Sequence, residues 1–182
     1  MAIVVGFHAC QREFADALVR GDVAIADWKP SANPYDWLGK GIYFWEQNKR
    51  PALEWAAKQV KGKAAVVQAE IELGECLDLA DTVYLAQIRT TFERLLQVYS
   101  KRGESLPINR KSGLRHLDRL VIDEFVGFME RGGAGEILRF DTVSAPFEEG
   151  SPVFPGSFIR DQNHVQIAVR NNAMIKSVRL VE

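Results

Sequence analysis

The chain has 182 residues, of which 47% are hydrophobic and 26% charged, and its formal net charge is −1. This balance is typical of one soluble globular domain and excludes a global electrostatic attraction to nucleic acid or to anionic membranes. Cys10 and Cys76 are too few for a disulfide framework or a zinc finger, and no apolar run could span a membrane. We therefore expect a cytoplasmic protein without a metal site and without a membrane partner.

The N-terminal third predicts strands that alternate with helices. Apolar and alternating patterns predict strands, and apolar residues spaced by three or four predict helices. A glycine, Gly21, follows the first helical pattern and is expected to end it. Strands are predicted over residues 2–8, 23–28, 42–45 and 64–73, and helices over residues 12–19 and 50–60.

The rest of the chain predicts a pair of helices followed by a β-rich segment. The helices, over residues 81–103 and 114–130, are interpreted as a helical insertion (about residues 81–131) between two halves of a sheet, within a single domain over residues 1–182. A loop with three prolines and two glycines is expected over residues 144–157. Strands are predicted over residues 136–141, 158–159, 164–169 and 175–181.

The most informative stretch is Leu-Gly-Lys-Gly-Ile-Tyr-Phe-Trp at residues 38–45. Gly39 and Gly41 allow a sharp turn or a close approach of a ligand to the backbone. The stretch resembles the second motif of ADP-ribosyltransferases of the diphtheria-toxin and poly(ADP-ribose) polymerase type. The segment Val-Val-Gly-Phe-His-Ala-Cys, with His8, resembles the first motif of that family, a histidine near the end of an early strand.

The resemblance implies an α+β protein with the ADP-ribosyltransferase fold, in which split antiparallel β-sheets surround an NAD cleft. It implies that Tyr43 stacks on the nicotinamide ring of NAD+ and that Trp55, on the following helix, covers the other face of the ring. His8 would bind a hydroxyl of the adenosine-side ribose. Ala9, where the family has glycine, would offer its backbone groups to the nicotinamide amide. Core packing is the alternative role of both aromatic residues.

The third position of the family is usually a glutamate on a late strand. The matching strand here is residues 164–169, where Gln166 is the inward polar residue, so the chain resembles a His-Tyr-Gln variant. A glutamine orients a ribose by hydrogen bonding, but it cannot act as a general base or place a full negative charge beside an oxocarbenium ion. His164 would take this position only if the strand shifted its register.

Three further groups of residues are candidates for the site. Glu148 and Glu149, in the proline-rich loop, are acceptor-side acids or a solvated pair. Ser31 and Tyr35, in the loop before Gly39, are candidates for the NAD+ cleft. Six positive and two negative charges between residues 101 and 119 form a basic run, either a solvated helix face or a footprint for nucleic acid.

The resemblance therefore predicts a mono-ADP-ribosyltransferase that uses NAD+ as co-substrate to modify a macromolecular acceptor. Nucleic acid, with RNA preferred, is slightly favoured over protein as that acceptor. By analogy with small stand-alone transferases, the protein would serve as a bacterial toxin or anti-phage defence effector, with an antitoxin or inhibitor protein as a further partner. The alternatives are an inactive module that binds NAD+ or ADP-ribose, and a nucleic-acid-binding or protein-binding domain.

Overall fold

The computed structural model describes residues 2–31, 33, 36–110, 114–133 and 135–181. It contains four helices and seven strands in these ranges: β1 (Ile3–Gln11), α1 (Arg12–Arg20), β2 (Ile42–Glu46), α2 (Lys49–Gln59), β3 (Ala64–Glu72), β4 (Cys76–Asp78), α3 (Leu85–Lys101), α4 (His116–Glu130), β5 (Thr142–Phe147), β6 (His164–Val169) and β7 (Ile175–Leu180). None of the helices in these ranges is long and apolar enough to cross a bilayer.

The strands form one mixed sheet in the order β4-β5-β6-β2-β1-β3-β7. Neighbouring strands are antiparallel except β4 and β5, which are parallel. The protein is therefore of the α+β class, as expected, but its sheet is continuous and mixed rather than split and antiparallel. The weakest point of the sheet is its centre. There, β1 pairs with β2 only at Gly6–Glu46 and Phe7–Trp45, whereas β1 pairs with β3 from Ile3 to Gln11.

Helices α1 and α2 pack on opposite faces of this sheet. Successive strand residues point to opposite faces, and the neighbouring residues Val66 and Val67 show the division. Val67 packs in a core cluster with Ala15 and Leu18 of α1. Val66 packs in another cluster with residues of α2. As expected, α1 ends at Gly21, whose φ of 80° suits a residue without a Cβ.

The predicted helical insertion forms the connection between the parallel strands β4 and β5. Parallel neighbours need a crossover connection, because the chain must return to the same end of the sheet. Helix α4 is the inner helix of this crossover, with Val121, Phe125 and Val126 among its buried residues. Helix α3 lies further out and leaves Leu85 and Leu96 43% and 50% exposed.

Three predicted strands are wrong. Residues 23–28 contain a 3₁₀ turn (Ile25–Asp27), and residues 136–141 contain no strand. The strand is instead β5, which begins at Thr142 and continues into the predicted loop. Residues 158–159 also form no strand, and Phe158 is 94% exposed.

Pro146 explains why β5 was missed. Proline is tolerated in a sheet only where its backbone nitrogen faces no neighbouring strand. Strand β4 pairs with β5 only as far as Ser144, so Pro146 lies beyond its end and pairs with β6 alone. A proline that argued for a loop is therefore compatible with the strand.

Candidate functional site

A cavity of about 630 Å³ opens where β1 and β2 separate. Six of the residues predicted from the sequence line it together, although they come from β1, the loop before β2, β2, α2 and β6. They are His8, Ala9, Ser31, Tyr43, Trp55 and Gln166. Its volume lies within the range of roughly 300–1,000 Å³ that is usual for small-molecule sites.

The His8 side chain makes a hydrogen bond across the gap between β1 and β2, one residue beyond the last β1–β2 pair. Its Nδ1 lies 2.7 Å from the carbonyl oxygen of Tyr43. A carbonyl oxygen only accepts, so Nδ1 carries the proton and Nε2 is left as an acceptor in the neutral ring. Burial lowers the pKa of His8, although the bond to Tyr43 partly opposes this shift. A neutral imidazole with a free acceptor nitrogen suits a hydroxyl donor such as a ribose.

The support of His8 was missed from the sequence. Trp28, only 4% exposed, meets the His8 ring edge to face, with 5.0 Å between the ring centroids. Phe44 packs against the same ring at 5.6 Å. The imidazole is therefore held by packing as well as by its bond to Tyr43.

Ala9 directs its backbone groups into the gap. The carbonyl of Val5 accepts a hydrogen bond from the backbone nitrogen of Gln47, on the β2 side of β1. Backbone groups alternate between the two edges of an antiparallel strand, so those of Ala9 face the same side as those of Val5. At Ala9 the ladder with β2 has ended. Its N–H and C=O groups therefore face the gap between β1 and β2.

Tyr43 is fixed by the turn that precedes β2. Its hydroxyl donates to the carbonyl of Gly39 at 2.7 Å and accepts from the backbone nitrogen of Leu38 at 2.9 Å. Burial raises the pKa of Tyr43, and the charge of Asp36 raises it further. The hydroxyl thus stays protonated and engaged, which leaves the ring as the part of Tyr43 available to a ligand.

The two glycines of the motif are required by this geometry. Gly39 has a φ of 81°, which L-residues rarely adopt, and a Cβ there would collide with the Asp123 carboxylate. Gly41 lies against β6, where a Cβ would come within 2.9 Å of the Ala168 Cβ. The predicted sharp turn is present at Gly39, and the close packing at Gly41 is with β6.

Trp55 forms part of an aromatic wall of the cavity. Its ring lies 6.0 Å from that of Trp45, which also lines the cavity, and the Trp45 ring lies 6.4 Å from that of His164. Trp45 was not predicted as a site residue. Because Tyr43 and Trp45 are two positions apart on β2, the period of the strand places them on the same face.

Gln166 is oriented by a chain of hydrogen bonds. The indole nitrogen of Trp37 donates to Gln166 Oε1 at 2.8 Å, and Gln166 Nε2 lies 2.9 Å from His164 Nε2. His164 Nδ1 lies 2.8 Å from the carbonyl oxygen of Gln162 and must donate to it. His164 Nε2 therefore accepts from the Gln166 amide. His164 does not line the cavity; it supports Gln166 from behind.

The remaining predicted site residues lie at the edge of the cavity, outside its lining or outside the described residues. Ser31 lines the cavity, and its hydroxyl accepts from the Asn33 side chain at 2.6 Å. Tyr35 lies outside the described residues. Glu148 and Glu149 are exposed and do not line the cavity, although a carboxylate oxygen of Glu149 lies 4.0 Å from His164 Nδ1.

Part of the predicted basic run borders the site instead of forming a solvated face. The Arg115 guanidinium lies over the rings of Phe147 and Trp37, at 4.3 and 5.1 Å from their centroids. Arg119 donates to the carbonyl of Asn33 at 2.7 Å. The run also has exposed members, among them Arg110, whereas Lys111 lies outside the described residues.

The cavity wall contributes no nucleophilic thiol. Cys10 lines the cavity, but burial raises its pKa to about 11, so the thiol stays protonated near neutral pH. Across the described ranges, no three histidine, cysteine or acidic side chains form a group that could hold a metal ion.

Two exposed lysines, Lys29 and Lys61, also line the cavity. They bring positive charge to a site whose other polar groups are mostly neutral, which suits an anionic ligand group such as a phosphate.

Comparison with known proteins leaves the family open. No protein-family model matches the chain, and no curated protein or solved structure is significantly similar to it.

Proposed function

We propose that the protein is a mono-ADP-ribosyltransferase that cleaves NAD+ and transfers ADP-ribose to a macromolecule. The observation that carries this proposal is the convergence of His8, Tyr43, Trp55 and Gln166 on one cavity. These residues come from four elements, and each stands at a position that the resemblance to the transferase family assigns to the NAD+ site.

Each group suits one part of NAD+. The ring of Tyr43 and the Trp45–Trp55 wall offer aromatic surface to the cationic pyridinium, worth on the order of 1–2 kcal/mol per ring when water is excluded. The backbone of Ala9 suits the nicotinamide amide, and the acceptor nitrogen of His8 suits a ribose hydroxyl. The cavity-lining lysines suit the pyrophosphate.

Gln166 favours the transfer of single units. Its carbonyl oxygen keeps a second lone pair and its amide nitrogen a second hydrogen, because Trp37 and His164 engage only one of each. It can therefore orient a ribose hydroxyl without removing the proton. Elongation of a chain requires activation of an ADP-ribose hydroxyl as the next acceptor, which an amide does not supply.

Nucleic acid is the preferred acceptor because the crossover helices bring cations towards the cavity. Arg115 and Arg119 are engaged with Trp37 and Asn33, so they fix the rim. The exposed members Lys101, Arg102 and Arg110 remain for phosphate contacts. RNA is favoured over duplex DNA because its unpaired bases are accessible.

The test is incubation of the purified protein with NAD+ labelled in the adenylate group and with cell lysate. Nicotinamide release is measured in parallel, and the products are digested separately with RNase, DNase or protease. We expect nicotinamide release and label that RNase removes. If only protease removes the label, the protein is still a transferase, but its acceptor is a protein and not RNA.

Calorimetry with NAD+, combined with the measurement of nicotinamide release, separates the alternatives. Calorimetric binding of NAD+ without nicotinamide release would identify a binding module. Absence of NAD+ binding would contradict both, and would leave a nucleic-acid-binding or protein-binding domain. The variant Tyr43→Ala should bind NAD+ about tenfold or more weakly, with Tyr99→Ala on α3 as the matched control.

A further inference from the structure

Asp36 is a buried carboxylate in the same cavity, and the proposed function does not use it. The residue is only 2% exposed and lines the cavity with His8, Tyr43 and Gln166. Burying a carboxylate is costly unless hydrogen bonds or charges compensate for it. Burial raises the pKa of Asp36, and this shift is opposed by bonds from Ser31 and Asn33 and by the charge of Arg119.

The surroundings of Asp36 place it beside the reactive part of the cavity. Its carbonyl accepts from the backbone nitrogen of Gly39 at 3.2 Å, which closes the turn that binds the Tyr43 hydroxyl. The next residue in the chain, Trp37, donates to Gln166. Asp36 therefore begins a turn that orients both Tyr43, proposed to stack on nicotinamide, and Gln166, proposed to bind the ribose.

Helix α4 holds this loop in place. Arg119 donates to the carbonyl of Asn33 at 2.7 Å and lies 3.6 Å from the carboxylate of Asp123. Asp123 in turn accepts from the backbone nitrogen of Lys40 at 3.3 Å. The crossover thus fixes both ends of the segment that contains Asp36, as expected of a group that must be preorganised.

The hydrogen bonds of the turn do not by themselves require a carboxylate. The backbone nitrogen of Asn33 donates to Asp36 Oδ2. An asparagine would accept the same bond and could donate its amide to the Ser31 hydroxyl, without the cost of a buried charge. Apart from its attraction to Arg119, the negative charge of Asp36 is not required by the bonds of the turn.

We propose that Asp36 is the catalytic carboxylate of the cleft and stabilises the positive charge that develops on the nicotinamide ribose. This inference rests on the proposed function. In the reaction, the bond between C1′ and the pyridinium nitrogen breaks, and its electron pair leaves with neutral nicotinamide. C1′ then bonds to the acceptor, whose proton passes to water. In its ionised form, which the charge of Arg119 favours, Asp36 supplies the negative charge that Gln166 lacks.

The test compares Asp36→Asn and Asp36→Ser with the wild type, each variant keeping an oxygen for the Asn33 N–H. Asp22→Asn is the control, because Asp22 is exposed and lies outside the cavity lining. NAD+ affinity is measured by calorimetry and nicotinamide release in a single turnover. We expect little change in affinity and a fall in release of about 10²–10³-fold, the usual effect of one preorganised group.

The outcomes separate the two claims. Release that falls less than about tenfold in Asp36→Asn would overturn the role of Asp36 and leave the transferase intact. Affinity that falls in proportion to release, or loss of folded protein in both variants, would reduce Asp36 to a support of the turn. A wild-type protein that binds NAD+ without releasing nicotinamide would refute the transferase and this inference together.

Discussion

The Tyr43 hydroxyl and the Tyr43 ring should have separable roles. Substitution Tyr43→Phe removes one oxygen and keeps the ring. That oxygen accepts from the Leu38 nitrogen at 2.9 Å and donates to the Gly39 carbonyl at 2.7 Å, and both of these residues are buried. Two buried backbone groups thus lose their partner. The expected cost is about 2–4 kcal/mol of the free energy of unfolding, at about 1–2 for each group.

This cost is measurable in two ways. Urea denaturation gives the change in free energy directly, and a loss of about 3 kcal/mol should lower Tm by about 6–12 °C in a protein of this size. Calorimetry should show NAD+ affinity close to that of the wild type, because the ring face remains. Tyr43→Ala also removes the ring and should weaken binding by about tenfold or more, at 1.4 kcal/mol per decade.

Tyr99→Phe on α3 makes the same atomic change outside the cavity and serves as the control. Two results would refute the reasoning. A Tyr43→Phe protein as stable as the wild type would show that the hydroxyl does not hold the turn. A tenfold loss of NAD+ affinity in a folded Tyr43→Phe protein would show that the ring is not the main contact.

Three further outcomes are expected. Mass spectrometry of the modified acceptor should show one ADP-ribose per site because Gln166 is an amide, and ladders of repeated units would contradict this role. Burial lowers the pKa of His8 below 6.5, so the unfolded chain binds a proton before the folded chain does as the pH falls through 6.5, and the folded state loses stability. This loss of stability at acidic pH should be smaller in His8→Gln. Urea denaturation at several pH values would test it. Labelling of nucleic acid should decrease as the salt concentration rises, and it should also decrease in the Arg102→Glu, Arg110→Glu double variant, while NAD+ affinity persists. Labelling that changes with neither would show that the exposed members of the basic run are only solvated.

The sequence alone determined the elements whose signal is local. Helix α1 ends at Gly21, and strand β6 has the predicted bounds, because periodicity and a positive φ act within a few residues. The two glycines of the motif at residues 38–45 were also informative by themselves, since the turn requires Gly39 and the packing of β6 requires Gly41. Local patterns did not predict β5. The sheet accommodates Pro146 there only because β4, which is distant in the sequence, ends its pairing with β5 at Ser144.

Only the tertiary structure decided how the side chains of the cavity are oriented and in which protonation state they are held. The orientation of Gln166 follows from Trp37, 129 residues away in the sequence. The neutral state of His8 follows from burial, and its tautomer follows from a carbonyl on another strand. The sequence pattern offers Glu148 and Glu149, in the loop before β6, as candidate acids, whereas the buried acid of the cavity is Asp36. Burial and long-range hydrogen bonds depend on how the elements pack, and a local sequence pattern contains no information about that packing.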